Sequence, residues 1–170
     1  AVLPAAMWFA LKPGETGAEL GRAVHRLLAE VEWLDAASIE RLAKGWADRG
    51  EAGRQAAACL RAPGLAGVWA RRERVDLWRE RAFEMAVTGV WVTGVFDRVV
   101  IERDAAGRPV RACVYDFKTD EDAVHATARH SRQLNLYRQA AAQLLGLPLG
   151  AVECALVMTR APQCIIIPPA

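Results

Sequence analysis

The sequence predicts a single-domain α/β fold, in which helices come first and a strand meander, another helix and a last strand follow. Apolar residues recur at helical spacing up to about residue 61, and β-branched and aromatic residues nearly alternate from residue 68 onward. The 170 residues are enough to bury one core without disulfides. This order of elements favours a mixed sheet of four or five strands flanked by helices.

The first helix is predicted over about residues 17–34. Thr16 and Glu19 have the spacing of a capping box at its start. His25 lies at the margin of the apolar stripe rather than on the opposite, solvated face. The stripe itself recurs three and four residues apart and consists of Leu20, Val24, Leu27, Leu28, Val31 and Leu34.

Three more helices are predicted further along the chain. Two alanine-rich stretches, about 38–48 and 52–61, come directly after the first helix. A longer helix covers 128–147 and ends at Gly146 and Pro148. One face of this longer helix would carry Leu134, Tyr137, Ala141 and Leu144.

Strands are predicted at about 77–87, 90–102 and 110–117. The turn around Ala106 and Gly107 would join the last two of these as a hairpin. Residues 151–160 are expected to form the final buried strand.

Several classes of protein are disfavoured by composition. The four cysteines are far apart and lack CxxC spacing, which argues against a zinc ribbon or a disulfide framework. The absence of an 18-residue apolar run and of a leader peptide favours a cytoplasmic protein without a membrane contact. No phosphate-binding G-x-x-x-x-G-K-[ST] loop is present, so ATP hydrolysis is not expected in this segment. The chain begins without methionine, and we expect residues 1–170 to be one domain of a longer polypeptide.

Charge gives a weaker signal, because the net charge of +2 neither requires nor excludes a nucleic-acid partner. The arginines cluster in two places, which either neutralise phosphates beside a groove or form solvated faces. These clusters are Arg71, Arg72, Arg74, Arg79 and Arg81, and Arg129, Arg132 and Arg138. His125 and His130 lie in a polar stretch and are expected at the surface.

The stretch "VYDFKTD" places two opposite charges, Asp116 and Lys118, in an apolar strand. Side chains two apart share a face of a strand, so these two project together, while Tyr115 and Phe117 point to the other side. Burying an ion without a partner costs several kcal/mol, so the pair is either a structural salt bridge or part of a reactive site. A D-x-K triplet alone arises by chance about once in 300 residues and decides nothing.

A second acid, Asp97, interrupts the apolar strand "GVFDRVV". If the hairpin register brings it to Asp116, the two carboxylates repel, and a divalent cation such as Mg²⁺ or Mn²⁺ would relieve that repulsion. Lys118 could then hold or help deprotonate an attacking water. Alternatively, Asp97 is a strand-edge acid paired with Arg98 or Arg111.

Five stretches in order from about residue 20 to 138 resemble the PD-(D/E)xK nuclease superfamily, specifically the RecB-like (AddA-like) nuclease domain at the C-terminal end of helicase-nuclease polypeptides. They are "ELGRAVHRLLAEVEWL" with His25, "WRERAF" with Glu80, "GVFDRVV" with Asp97, "VYDFKTD" with Asp116 and Lys118, and "RQLNLYRQA" with Gln133 and Tyr137. The resemblance implies a restriction-endonuclease-like core and a metal-dependent deoxyribonuclease. Its substrate would be mainly single-stranded DNA, delivered in recombination and repair by a helicase motor.

By this resemblance, a Mg²⁺ ion (or Mn²⁺ in its place) would be held by His25, Asp97, Asp116 and the main-chain carbonyl of Phe117. Lys118 would be the catalytic lysine. Gln133 and Tyr137, four residues apart and on one helical face, would support the site and touch the DNA backbone, with Arg129 and Arg132 nearby. Glu80 would also belong to the site, although Arg81 and Ala82 stand where the family more often has an apolar residue and proline.

Simpler interpretations remain open for each residue. His25 would be a histidine donating to a backbone carbonyl, Tyr137 a core residue, and Gln133 a solvated helix residue. For the whole chain, the alternatives are a catalytically inactive nuclease-like module that binds DNA or docks in a repair complex, and an unrelated α/β protein with a structural salt bridge.

Overall fold

The computed structural model describes residues 15–170, with side chains from residue 17 onward. The helices are α1 (Glu15–Ala29), α2 (Ala36–Ala47), α3 (Gly50–Arg61), the short α4 (Ala66–Trp69) and α5 (Ala123–Leu145). The strands are β1 (Val75–Val87), β2 (Val90–Arg103), β3 (Pro109–Lys118), β4 (Val152–Met158) and β5 (Gln163–Ile167). No helix in this part of the chain is long and apolar enough to cross a membrane.

The strands form one mixed sheet in the order β1-β2-β3-β4-β5. Neighbouring strands are antiparallel except β3 and β4, which run parallel and are connected through α5. The predicted α/β class and the mixed sheet of four or five strands are therefore confirmed, with five strands. Parallel pairing requires a crossover of this kind, and the long helix supplies it.

Two apolar cores lie on opposite faces of the sheet. On one face α5 packs against the strands through residues such as Leu134, Tyr137 and Leu156. On the other face α1 to α4 enclose residues such as Leu28, Trp69 and Phe117. The sheet is thus covered on both sides, as expected for strands that read as nearly continuous apolar runs.

Helix α1 ends at Ala29, five residues before the predicted end at 34, because later carbonyls bond to arginines of the sheet. Arg79 of β1 donates to the carbonyls of Ala29 and Glu30. Arg98 of β2, directly opposite Arg79 in the ladder, is buried and donates to three further carbonyls. These belong to Val31, Glu32 and Val68, at 2.7, 2.6 and 3.0 Å. The capping box predicted at Thr16 and Glu19 involves a side chain outside the described part.

Two other predictions need correction. Residues 151–160 do not contain the last strand, because β5 follows as an edge strand of mostly apolar residues before Pro168 and Pro169. Leu144 is 43% exposed, whereas Leu145 packs on the core, so the apolar face of α5 is rotated slightly at its C-terminal end. The predicted hairpin is confirmed, with Gly107 at φ 81° and the Asp104 carboxylate accepting the backbone N–H groups of Ala106 and Arg108.

Beyond its pairing with β3, the N-terminal half of β2 continues with β1 as a two-stranded hairpin that lies on α5. Gly94 allows the close approach. A Cβ at this position would lie 2.7 Å from Tyr137 Oη and 2.8 Å from Phe83 Cζ. The Phe83 ring cannot retreat easily, since it stacks on Phe96 at 4.4 Å between ring centroids.

We therefore expect Gly94→Ala to destabilise the protein by about 1–3 kcal/mol, as overpacking of a filled core does. The control is Gly150→Ala, where an added Cβ meets no atom within 4 Å. Chemical denaturation of both variants measures the difference. Equal free energies of unfolding for the two variants would show that the hairpin does not depend on this contact.

Candidate active site

The candidate site begins at the end of β3, where Asp116 and Lys118 share the face that packs on α5. Tyr115 and Phe117 point to the opposite core, as predicted from strand alternation. Asp116 is 3% exposed, and its Oδ2 lies 2.7 Å from Lys118 Nζ. The two opposite charges therefore form a close, largely buried ion pair, although no other hydrogen bond to this oxygen is found among the described residues.

The second acid comes from β2. The β2–β3 ladder ends at the pair Arg98 and Tyr115, one step before Asp97 and Asp116 would face each other. At this point the Asp97 side chain replaces the backbone as the hydrogen-bond acceptor, because its Oδ2 accepts the Phe117 N–H at 2.8 Å. The alternative pairing of Asp97 with Arg98 or Arg111 is wrong. The Arg98 guanidinium bonds to carbonyls beneath the sheet, and Arg111 lies 3.7 Å from Glu153.

Helix α1 brings His25 to this point. Its Nε2 lies 3.0 Å from Asp97 Oδ1, and its ring meets Phe117 edge-on with the centroids 5.5 Å apart. Gly21, one turn earlier on the same face, allows the approach, because a Cβ there would lie 3.1 Å from Thr119 Oγ1. The alternative of a histidine bonded to a backbone carbonyl is therefore wrong, since both ring nitrogens face carboxylates.

Glu80 supplies the carboxylate that faces the second ring nitrogen of His25, with its Oε1 3.6 Å from His25 Nδ1. Glu80 has a φ of 46°, and the ladder skips it between the pairs Arg79–Arg98 and Arg81–Phe96. A left-handed conformation costs a residue with a Cβ about 1–2 kcal/mol. Strain of this kind in a regular strand is typical of functional sites, and here it accompanies a side chain that reaches His25.

The charges in the site perturb one another. Burial raises the pKa of Asp116 above its ordinary value and Asp97 adds to this, although the Lys118 ammonium opposes it. Hydrogen bonding to Asp97 raises the pKa of His25 against the opposing effect of burial. Burial raises the pKa of Glu80. Burial lowers the pKa of Lys118, but Asp116 and Asp97 outweigh that effect and leave it raised.

The donor atoms fit a divalent cation. Ligand atoms of His25, Glu80 and Asp97 all lie within 4.8 Å of one another. Asp116 is outside that group of three, but it lines the same groove with its Oδ2 beside the Lys118 ammonium. Three carboxylates face one lysine ammonium, so the excess charge is negative, and carboxylate oxygens are the ligands that Mg²⁺ and Mn²⁺ prefer.

A groove of about 750 Å³ leads to these residues, and its walls come from the β1–β2 hairpin, from the end of β3, from His25 of α1 and from α5. Gln133 and Tyr137 line it from α5, and Gln133 Nε2 donates to Tyr137 Oη at 3.3 Å. Tyr137 is 4% exposed and packs edge-on against Phe83 and Phe96, so it belongs to the core as well as to the groove. Gln133 is half-buried rather than fully solvated.

The arginines of the two predicted clusters have different roles, and none of those described here lines the groove. Arg129 lies 2.8 Å from Asp120, whereas Arg132 is exposed on the same helix. Arg138 is wrongly grouped with them, because it is buried and donates to the carbonyl of Ile167. Arg79 holds the end of α1, and the Arg81 guanidinium lies 3.8 Å from the centroid of the Trp78 ring.

Two supporting contacts were not predicted. Thr159, buried after β4, donates from both its backbone N–H and its hydroxyl to the carbonyl of Lys118. His130 is only partly exposed, and its Nε2 lies 3.0 Å from Asp120 Oδ2, so its expected surface position is wrong, whereas His125 is exposed. The Thr159 contact has no local sequence signal, because it joins β3 to the residue after β4, 41 positions later. The His130 contact depends on how the turn before α5 folds back on that helix, ten positions later.

The pH dependence of the free energy of unfolding should reveal the raised pKa of the buried Asp116 carboxyl. The raised pKa means that folded, metal-free protein binds this proton more tightly than the unfolded chain does, so stability falls as the pH rises above 3.8, the ordinary value. Asparagine does not titrate. In EDTA, Asp116→Asn should therefore gain stability relative to the wild type between acidic and neutral pH, measured by denaturation at several pH values.

The matched control for that series is Asp48→Asn, at an exposed carboxylate after α2. Its stability should follow that of the wild type across the same range. A difference between Asp116→Asn and the wild type that is constant with pH would show that Asp116 keeps its ordinary pKa in the folded protein.

Comparison with known proteins identifies the family of the chain. A search of curated proteins found no match. A scan against protein families matches residues 6–163, most of the chain, to the PD-(D/E)XK nuclease superfamily. The mixed five-stranded sheet with helices on both faces is consistent with the restriction-endonuclease-like fold of that superfamily. The chain therefore belongs to the PD-(D/E)XK nuclease superfamily, a group of nuclease hydrolases that use divalent metals.

Proposed function

We propose that this chain is a Mg²⁺-dependent deoxyribonuclease that hydrolyses phosphodiester bonds at the groove between the β1–β2 hairpin and α5. One observation carries the proposal: the buried Asp116–Lys118 pair opens into the same groove as Asp97 and His25. A structural salt bridge alone would not need a second acid, a histidine and a strained glutamate beside it. Membership of the nuclease superfamily supports the same conclusion.

The metal ion would be held by Asp97 and Asp116, with His25 and the Phe117 carbonyl completing the set. Glu80 is a further candidate ligand, since its carboxylate already lies within reach of His25 and Asp97. When bound, the ion supplies Lewis-acid polarisation of the phosphate and lowers the pKa of bound water. Asp97 also fixes the main chain of β3 through the Phe117 N–H, which keeps the two strands in place.

Lys118 acts in this proposal as an ammonium. Its raised pKa, caused by Asp116 and Asp97 against the effect of burial, keeps it protonated at neutral pH. It therefore orients the attacking water by donating a hydrogen bond from Nζ and stabilises negative charge that develops on the phosphate. Thr159 holds the Lys118 main chain at the end of the strand. Gln133 and Tyr137 offer an amide and a hydroxyl toward the DNA backbone from the wall of the groove.

The finer assignment follows the order of the five motifs, which is that of RecB-like (AddA-like) nuclease domains. On this basis the substrate is mainly single-stranded DNA, and a helicase motor in the same or a partner chain delivers it during double-strand-break repair. Arg132, exposed on α5, is available to neutralise a phosphate, whereas Arg129 would first have to leave Asp120.

Cleavage of single-stranded DNA in Mg²⁺ or Mn²⁺ tests the enzymatic proposal. Lys118→Ala and Asp116→Ala should each lower the rate at least about 100-fold, because the first removes a cation that stabilises the reacting phosphate and the second removes a ligand of the metal ion. The rate is measured from product formation on a labelled oligonucleotide. Lys44→Ala, at an exposed lysine of α2, is the matched control and should cleave like the wild type. Wild-type protein that does not cleave, or variants that cleave equally well, would refute the proposal.

Metal binding gives a second test that needs no turnover. Mn²⁺ at about 100 times its Kd should stabilise the folded protein by ~2.7 kcal/mol and raise Tm, because only the folded state has the site. Asp97→Asn should abolish this rise and the calorimetric binding signal. Asparagine keeps a carbonyl that can accept the Phe117 N–H, so folding should survive. DNA binding without metal binding would instead indicate a catalytically inactive nuclease-like module.

A further inference from the structure

The β1–β2 hairpin presents one continuous face next to the candidate active site. Residues 82, 84, 86, 91, 93 and 95 alternate outward, and residues 83, 85, 87, 92 and 94 turn toward α5 and are more buried. Cross-strand pairs on the outward face are Ala82–Val95, Glu84–Thr93 and Ala86–Trp91. The first two of these pairs line the groove that holds Asp97, Asp116 and Lys118.

Trp91 lies at the outer end of this face. It pairs with Ala86, and this pair follows the two pairs that line the groove. Trp91 is 65% exposed, which sets it apart from the other tryptophans that the structure describes, all of them at least partly buried. Trp91 Nε1 donates to Glu84 Oε1 at 3.0 Å. The indole is thus tethered by a residue of the groove wall, and an aromatic ring that is already oriented loses little entropy on binding.

We propose that Trp91 is a stacking platform for a base of single-stranded DNA whose phosphate is held at the active site. The proposal rests on the proposed nuclease function. Its support is continuity: the outward face of the hairpin runs from the groove to Trp91 without a change of side. Trp91 lies six positions before Asp97, roughly 20 Å along an extended strand, so the stacked base would lie several nucleotides from the reacting phosphate.

The chemistry of the face matches bases rather than phosphates. Its six residues carry no cation, and the one charged side chain, Glu84, is an acid. An acidic and apolar face repels a phosphate backbone but offers an aromatic ring to a base, and base–aromatic stacking is tolerant of sequence. In a duplex the bases are already stacked on one another, so the platform would favour single strands.

Affinity for oligothymidine tests this inference without turnover. In the Lys118→Ala background with Mg²⁺, Trp91→Ala should weaken binding about tenfold, as removal of a stacking ring does. Trp91→Phe should restore most of the lost affinity. An oligonucleotide of the same length with abasic sites should bind equally well to the parent protein and to the Trp91→Ala variant, because it keeps the phosphates and lacks the bases. Fluorescence anisotropy measures the affinity of each protein for each labelled oligonucleotide.

The control is Val90→Ala, which removes an exposed apolar side chain from the same hairpin on the opposite face. It should bind oligothymidine like its parent. Unchanged affinity of the Trp91→Ala variant for oligothymidine, or an equal loss of affinity for the abasic oligonucleotide, would overturn the inference. Trp91 would then be a candidate contact for a protein partner instead of a base. The nuclease assay on the wild type decides the proposed function separately, since cleavage can persist when stacking fails.

Discussion

The arrangement of the candidate site depends on one hydrogen bond, from the Phe117 N–H to Asp97 Oδ2. It forms where the β2–β3 ladder ends, and it replaces a backbone bond with a carboxylate. Asp97 therefore fixes the end of β3 with one oxygen and presents the other to His25 at 3.0 Å. Because the same side chain serves both purposes, the two strands and α1 meet at a single residue.

The cost of this arrangement is visible in its electrostatics. Asp116 is almost fully buried, and burial with a neighbouring acid raises its pKa. Glu80 adds a strained backbone and a third carboxylate. Such a set is unfavourable for a protein core without a metal ion but well suited to a divalent cation, so the candidate site is a place where the fold gives up stability. A left-handed residue within a strand and an acid within an apolar core both depart from the usual sequence preferences, as is common at functional sites.

Much of the fold follows from sequence pattern, and the exceptions have identifiable causes. Alternation in β3 correctly places Asp116 and Lys118 on one face and Tyr115 and Phe117 on the other. Successive side chains of any strand point to opposite faces, so this prediction needs no tertiary information. The end of α1 was placed too late, since Val31 and Leu34 continue its apolar spacing while Arg79 and Arg98 capture the carbonyls of residues 29–32. The direction of Glu80 depends on its left-handed backbone, and the role of Thr159 depends on a contact with a residue 41 positions earlier, and single-sequence patterns carry no signal for either. The role of Asp120 depends on how the turn before α5 folds back on His130.

The buried guanidinium of Arg98 has a consequence for how the molecule assembles. It joins β2 to carbonyls 66 and 67 residues earlier in the chain and lies 5.2 Å from the ring centroids of Trp33 and Trp69. Helix α1 packs on its helical neighbours through Val24 and Leu28, but the carbonyls at its end are bonded by Arg79 and Arg98, which lie opposite each other on β1 and β2. Contacts of such large sequence separation are slow to close. The candidate site draws His25 from α1, Glu80 from β1, Asp97 from β2 and Asp116 from β3, so it is complete only when these four elements have come together.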